Sequence, residues 1–206
     1  KVLIRLRENQ VSTVAESTYS SLVGELVNDA NKYVEQSWDW TALRQSITVT
    51  TAADDYEYAL TGSGQDFKLL NVLNNTNNSV MHYRPATYFD GVYLSQPATG
   101  SPSEFTYRGT DTNSDTNIEV YPKPDAVYSL VFKAVVRSAD LEDDADAIKV
   151  PTQAVIYMAL ALAARERGEQ GGTSAAELLA LADTYLADAV ALDASLYEDE
   201  LTWKTT

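Results

Sequence analysis

The chain has 206 residues and carries 30 acidic against 15 basic side chains, a formal net charge of −15 at pH 7. It has no cysteine and a single histidine, His82, which excludes thiol catalysis, thiolate metal sites and multi-histidine metal sites. Because so acidic a chain repels the phosphate backbone, affinity for free nucleic acid is not expected.

A helical pattern occupies residues 18–38. Apolar side chains recur there at three- and four-residue steps, while polar side chains such as Asn28 and Glu35 face away from the apolar stripe. The segment therefore predicts an amphipathic helix. Residues 2–7 are typical of the second half of such a helix, so we expect a short N-terminal piece to be missing from the chain.

From Ser46 the hydrophobic period changes to two, which indicates β-strands. Residues 86–95 are ambiguous and are compatible with a short helix. The predicted strands cover residues 46–50, 56–60, 67–73, 104–108, 117–121 and 127–136.

Helical period returns at Pro151, which fits the first helical position because its missing N–H is not needed there. A last helix is predicted over about residues 175–197. Its apolar residues alternate steps of four and three, the spacing of a bundle seam. These seam residues are Leu178, Ala182, Tyr185, Ala189, Leu192 and Leu196.

The predicted fold class is α+β, a helical bundle formed by N-terminal and C-terminal helices with an inserted antiparallel β-rich region. Helices from both ends of the chain carry apolar stripes that none can bury alone, so we expect them to pack together. The predicted divisions are N-terminal helices at 1–45, the insertion at 46–138, a helical hairpin at 139–197 and a tail at 198–206.

Few segments offer chemistry. Residues 111–117 resemble the start of a calcium loop, but Thr116 and Pro122 stand where that loop needs Gly and Glu, so a polar hairpin turn is predicted. The glycines at 168–174 lack the lysine of a phosphate loop. His82 has no partner motif and is assigned a structural or surface role. We therefore expect no enzyme activity, no cofactor and no metal site.

Excess negative charge is concentrated in the last third of the chain. It is densest in Asp140, Glu142, Asp143, Asp144 and Asp146. A solvated loop is the ordinary reading of such a run, with binding of a divalent ion or a basic partner as the alternative.

The C-terminal tail carries apolar residues outside any periodic pattern. Leu201 and Trp203 have no local core to pack on, and aromatic anchors are favoured in partner interfaces. Tyr197, at the end of the predicted last helix, is assigned to the same partner-binding set. An unimportant mobile tail explains the same residues.

The order and spacing of several segments resemble the head-to-tail adaptor of short-tailed phages, the tail tubular protein A family. Each segment is weak alone, but together they span most of the chain. The segments are residues 27–31, 38–44, 47–51, 60–64, 109–116, 121–125 and 150–169.

The resemblance implies a structural virion protein at the head–tail interface, assembled in the host cytoplasm. It implies a homo-oligomeric ring of about twelve subunits that binds the portal protein and the tail nozzle protein. Tail fibres are a further candidate partner, and genomic DNA would pass through the ring without specific binding. On this interpretation the acidic run faces the channel or solvent, and Tyr197, Leu201 and Trp203 bind the portal.

A second interpretation is a β-rich carbohydrate-binding or adhesion module, suggested by aromatic strands and polar turns. Such a module would place several Tyr or Trp side chains on one open face. A hydrolase that uses acidic residues has no supporting motif.

Overall fold

The computed structural model describes residues 1–9, 11–95, 97–143, 145–168 and 175–196. Its helices are α1 (Val2–Arg5), α2 (Thr18–Ser37), α3 (Ala86–Leu94), α4 (Thr152–Glu166) and α5 (Ala175–Ala194). Its strands are β1 (Arg44–Thr50), β2 (Glu57–Ala59), β3 (Phe67–Asn74), β4 (Ser79–Val80), β5 (His82–Tyr83), β6 (Glu104–Thr110), β7 (Thr116–Tyr121) and β8 (Ser129–Val136).

The predicted α+β class is confirmed. The chain divides into two compact units. The helical unit comprises Lys1–Leu43 and the described part of Ser138–Thr206, and the β-rich unit comprises Arg44–Arg137. Within the described residues, no helix is both long and apolar enough to cross a membrane.

Helix α2 begins at a reciprocal cap. The Ser20 N–H donates to Ser17 Oγ at 3.0 Å, and the Ser17 N–H donates to Ser20 Oγ at 2.9 Å, so two N–H groups that lack helical partners are satisfied. The helix ends where Trp38 turns to extended backbone, which confirms the predicted helix to within a residue. The Trp40 indole donates to the Val34 carbonyl at 2.7 Å and is almost fully buried.

Helix α4 packs against both α2 and α5, and most of its apolar side chains are buried. Pro151 precedes the helix as its N-cap, with ψ 108°, instead of occupying the first helical position as predicted. Proline restrains φ alone, so its extended ψ is compatible with a cap. The helix therefore starts one residue later than the sequence predicts.

Only part of the predicted seam of α5 is covered. Ala182 is buried. The rings of Tyr157 and Tyr185 stack with their centres 4.8 Å apart, and this contact aligns α5 with α4. Leu192 and Leu196 are 71% and 68% exposed, so the seam prediction is wrong for both. Along α5, the separation of each leucine from Tyr185 is longer than the stretch of α4 between its first residue and Tyr157. Helix α4 is therefore too short to cover either leucine.

The described residues of the β-rich unit form two four-stranded sheets, with strand orders β1-β8-β3-β4 and β2-β7-β6-β5. One apolar core is shared by residues of both sheets. Its buried members are Val49, Leu60, Val72, Met81, Phe105, Ile118, Val120, Leu130 and Phe132.

The prediction of an entirely antiparallel insertion is wrong at one strand pair. β5 pairs with β6 in parallel, with His82 opposite Glu104 and Tyr83 opposite Phe105. Parallel neighbours need a crossover connection, and α3 supplies it between these two strands. The ambiguous segment at 86–95 is therefore a helix for a topological reason.

Candidate functional site

The acidic segment, residues 138–146, is attached to one polar face of α2. The Leu141 N–H donates to Asn28 Oδ1 at 3.0 Å, and Asn28 Nδ2 donates to the Leu141 carbonyl at 3.3 Å. Lys32 Nζ lies 2.6 Å from Asp140 Oδ1. Asn28 and Lys32 are one helical turn apart and so share a face.

Glu35 continues this face and is fully buried, whereas the sequence pattern predicts that it faces away. Its Oε2 accepts the Ser138 N–H at 2.9 Å, and its Oε1 accepts from Asn31 Nδ2 at 3.1 Å. A buried carboxylate is tolerated only when it is hydrogen-bonded, so these contacts explain its burial. The only sequence signal is an Asn31–Glu35 pair at helical spacing between apolar residues.

The described acids of the predicted run are exposed, and they form a turn. Asp146 Oδ2 accepts the Asp143 N–H at 2.9 Å and the Glu142 N–H at 2.8 Å. These N–H donors lower the pKa of the Asp146 carboxyl because they stabilise its charged form. Asp140 is exposed and paired with Lys32, and Asp144 lies outside the described residues.

The predicted partner-binding residues Tyr197, Leu201 and Trp203 also lie outside the described residues. The described end of α5 nevertheless makes a specific contact. Asp193 Oδ2 accepts the Trp38 indole N–H at 2.9 Å and the Thr41 N–H at 3.2 Å. Sequence reasoning missed Asp193, because no local pattern links it to Trp38.

In the β-rich unit, two turns are joined by a carboxylate. Asp115 Oδ1 accepts the N–H groups of Gly62 and Gly64, each at 3.0 Å, and these donors lower the pKa of Asp115. Both glycines have positive φ, 83° and 58°, a conformation that other residues rarely adopt. The glycines are required because they aim both N–H groups at one acceptor.

The segment at 111–117 is the polar hairpin turn that the sequence predicts. Asp111 Oδ1 accepts the N–H groups of Asn113 at 2.8 Å and Asp115 at 2.9 Å, between antiparallel strands β6 and β7. Among the described residues, no cluster of three or more His, Asp or Glu side chains is placed to hold a metal ion. His82 is exposed, and its backbone N–H donates to the Ser103 carbonyl at 2.9 Å.

Aromatic side chains around α3 pack on one another. The Tyr56 and Tyr93 rings stack 4.3 Å apart, and the Tyr93 hydroxyl donates to the Val120 carbonyl at 2.5 Å. Burial raises the pKa of Tyr93. Arg108 bonds Asp90 of α3 and lies 2.8 Å from Glu119 Oε1, which anchors the helix to the sheet. Much of the aromatic content thus has a packing role.

Comparison with known families identifies the chain. The sequence model of the SU10 adaptor protein matches residues 3–201. The chain belongs to the SU10 adaptor protein family. A search of curated proteins found no match to it.

The SU10 adaptor is a structural component of the phage virion and a head–tail adaptor. As such it associates with other head and tail components. The coarse prediction from the order of segments is therefore confirmed. The finer identity, tail tubular protein A of short-tailed phages, stays a prediction.

Proposed function

We propose that this SU10 adaptor forms a ring of about twelve subunits that joins the portal to the tail nozzle and continues the DNA channel. The match to the adaptor family over residues 3–201 carries the proposal. The proposed role is the one implied by the resemblance to tail tubular protein A. The subunit would be made in the host cytoplasm and act in the virion without a cofactor, metal or catalytic step.

The helical unit supports ring formation, and we propose that it acts as a bundle. Helix α4 contacts α2 and α5, but those two helices keep apolar side chains exposed. On α2 these are Leu22 and Tyr33, 38% and 51% exposed, and on α5 they include Leu181 and Leu192. Contact of one subunit's α5 with the next subunit's α2 is heterologous, the kind of contact that closes rings.

The negative charge of the chain supports the proposal that DNA passes through the ring. Glu142 and Asp143 are exposed in the acidic segment, and the chain as a whole carries −15. Acids facing the channel, including Asp144, would repel phosphates and keep the genome from adhering. The tail residues Tyr197, Leu201 and Trp203 are proposed to bind the portal, because they are apolar residues beyond the last helix.

Native mass spectrometry tests the ring. The protein alone is expected as a monomer or mixed oligomer, because its negative charge opposes self-association. Addition of portal protein is expected to give a complex with about twelve adaptor copies. A stable monomer in the presence of portal would contradict the proposed ring. The structural role would be contradicted by turnover of DNA, glycan or ATP that is abolished when a single carboxylate is substituted.

A further inference from the structure

An open groove of about 450 Å³ lies in the helical unit. Its floor is apolar and includes Val23 of α2 and Val155 and Ile156 of α4, all at least nine-tenths buried. Its rim includes the exposed acids Glu142 and Asp143. We call this surface the acidic groove.

The walls of the acidic groove are fixed by specific contacts. Gly24 leaves room for Val14, since a Cβ at Gly24 would stand 2.6 Å from Val14 Cγ1. The Ser20 hydroxyl donates to the Val14 carbonyl at 2.7 Å, which holds the first wall against α2. A second part of the lining is held by the paired hydrogen bonds between Asn28 and Leu141. Both lining segments are therefore held against α2 by hydrogen bonds.

The charge of the rim restricts the occupant. Asp146 also lines the groove and stays ionised, because two backbone N–H groups stabilise its carboxylate. Lys1 is the one basic residue among the described residues that line it. An apolar side chain on the floor with a Lys or Arg beside it would satisfy both surfaces.

Residues 3–7 of another copy of this chain are a poor source of such a segment. Residues 3–7 combine apolar and basic side chains but are already used in their own unit. The Arg5 guanidinium lies 4.6 Å from the centre of the Tyr157 ring, and the Leu6 carbonyl accepts from Arg167 Nη1 at 3.5 Å.

We propose that the acidic groove binds a segment of another protein in which an aliphatic residue is flanked by Lys or Arg. The floor takes the aliphatic side chain, and the carboxylates of Glu142, Asp143 and Asp146 face the flanking cations. The inference rests on the proposed adaptor function, since it supplies one surface by which an adaptor holds a second virion protein.

The test is a titration of the full chain with the acetylated, amidated peptide Gly-Lys-Leu-Ile-Lys-Gly, followed by methyl NMR. Chemical-shift changes are expected at Val23, Val155 and Ile156. The double variant E142Q/D143N should bind about fivefold more weakly, because two partly solvated ion pairs are lost. The matched control D183N/D188N removes the same charge from exposed positions of α5 and should bind like the unmodified chain.

Four results would overturn the proposal. Equal shifts of the same methyls by the peptide with Glu in place of Lys would remove the charge requirement. E142Q/D143N binding like D183N/D188N would show that the rim is not used. Shifts of the floor methyls on raising the protein concentration without peptide would make a second copy the occupant. Absence of binding by the Lys peptide would also overturn the groove proposal, but not the adaptor function, because ring formation on the portal is measured separately.

Discussion

The buried carboxylate of Glu35 accepts a hydrogen bond from the backbone N–H of Ser138 at 2.9 Å. The first residue of the acidic segment is therefore bonded to a buried side chain of α2. Glu35→Ala should lower the free energy of unfolding by about 2 kcal/mol or more, because it leaves buried donors unpaired. Urea denaturation monitored by circular dichroism measures the effect. Glu25→Ala, at an exposed position of the same helix, should change it by less than about 0.5 kcal/mol. Equal effects of both substitutions would show that the Glu35 contacts do not stabilise the fold.

Asp115 should make stability depend on pH. Its pKa is lowered in the folded state, so its contribution is present above the unfolded-state pKa of about 3.9 and is lost as pH falls through the folded pKa. At pH 7, Asp115→Asn should cost about 1–2 kcal/mol, because an amide oxygen is a weaker acceptor for the two glycine N–H groups.

Denaturation curves of the two proteins at several pH values check this prediction. The difference between them should shrink as the solution is acidified below about pH 4. Asp188→Asn on α5 is the matched control, since Asp188 is exposed. A difference that stays constant down to pH 2 would assign the loss to packing and not to the charge of Asp115.

Gly24 is predicted to be needed only because Val14 lies against it. Gly→Ala in a helix normally gains about 1 kcal/mol, but here the new Cβ would stand 2.6 Å from Val14 Cγ1. Gly24→Ala should therefore give no gain or a loss in the unmodified chain and a gain of about 1 kcal/mol in a Val14→Ala background. A double-mutant cycle of melting curves measures the coupling. Additive effects would mean that Val14 does not approach Gly24.

Sequence periodicity predicts the elements in which one local stripe of apolar residues is buried, such as α2 and β8. The burial of Glu35 escapes prediction because its partner Ser138 lies 103 residues away. Similarly, the clamp by Asp193 on Trp38 spans 155 residues. Exposure of Leu192 depends on where α4 starts, which no pattern within α5 reveals. Composition indicates the acidic segment, but its attachment to α2 follows only from the tertiary structure.

The acidic segment is predicted to influence DNA retention in the particle. Replacing Glu142 and Asp143 by Lys should increase retention, and most at low salt, because phosphate attraction is screened as ionic strength rises. DNA ejection from particles carrying the variant measures this effect. The double variant with Asp183→Lys and Asp188→Lys is the control for the change of charge alone. Ejection that is identical at low and high salt would place the segment away from the DNA path, which is where a partner bound in the acidic groove would keep it.

The tail is predicted to hold the adaptor on the portal. Residues 197–206 follow the last helix, and Glu198, Asp199 and Glu200 at a helix C-terminus disfavour its continuation. Deleting residues 197–206 should leave circular dichroism unchanged and weaken portal attachment. Trp203→Ala should reproduce most of that loss, because a buried aromatic anchor contributes about 2 kcal/mol or more.

Attachment and melting measured together decide where Trp203 acts. Loss of portal attachment with an unchanged melting temperature would support docking on the portal, and repeated copies in a ring would multiply the effect. A lowered melting temperature of the free protein would instead mean that Trp203 packs on its own subunit. Thr205→Ala, in the same tail, is the control for sequence changes as such. If Trp203→Ala particles attach like those with Thr205→Ala, the tail tryptophan is not a portal anchor.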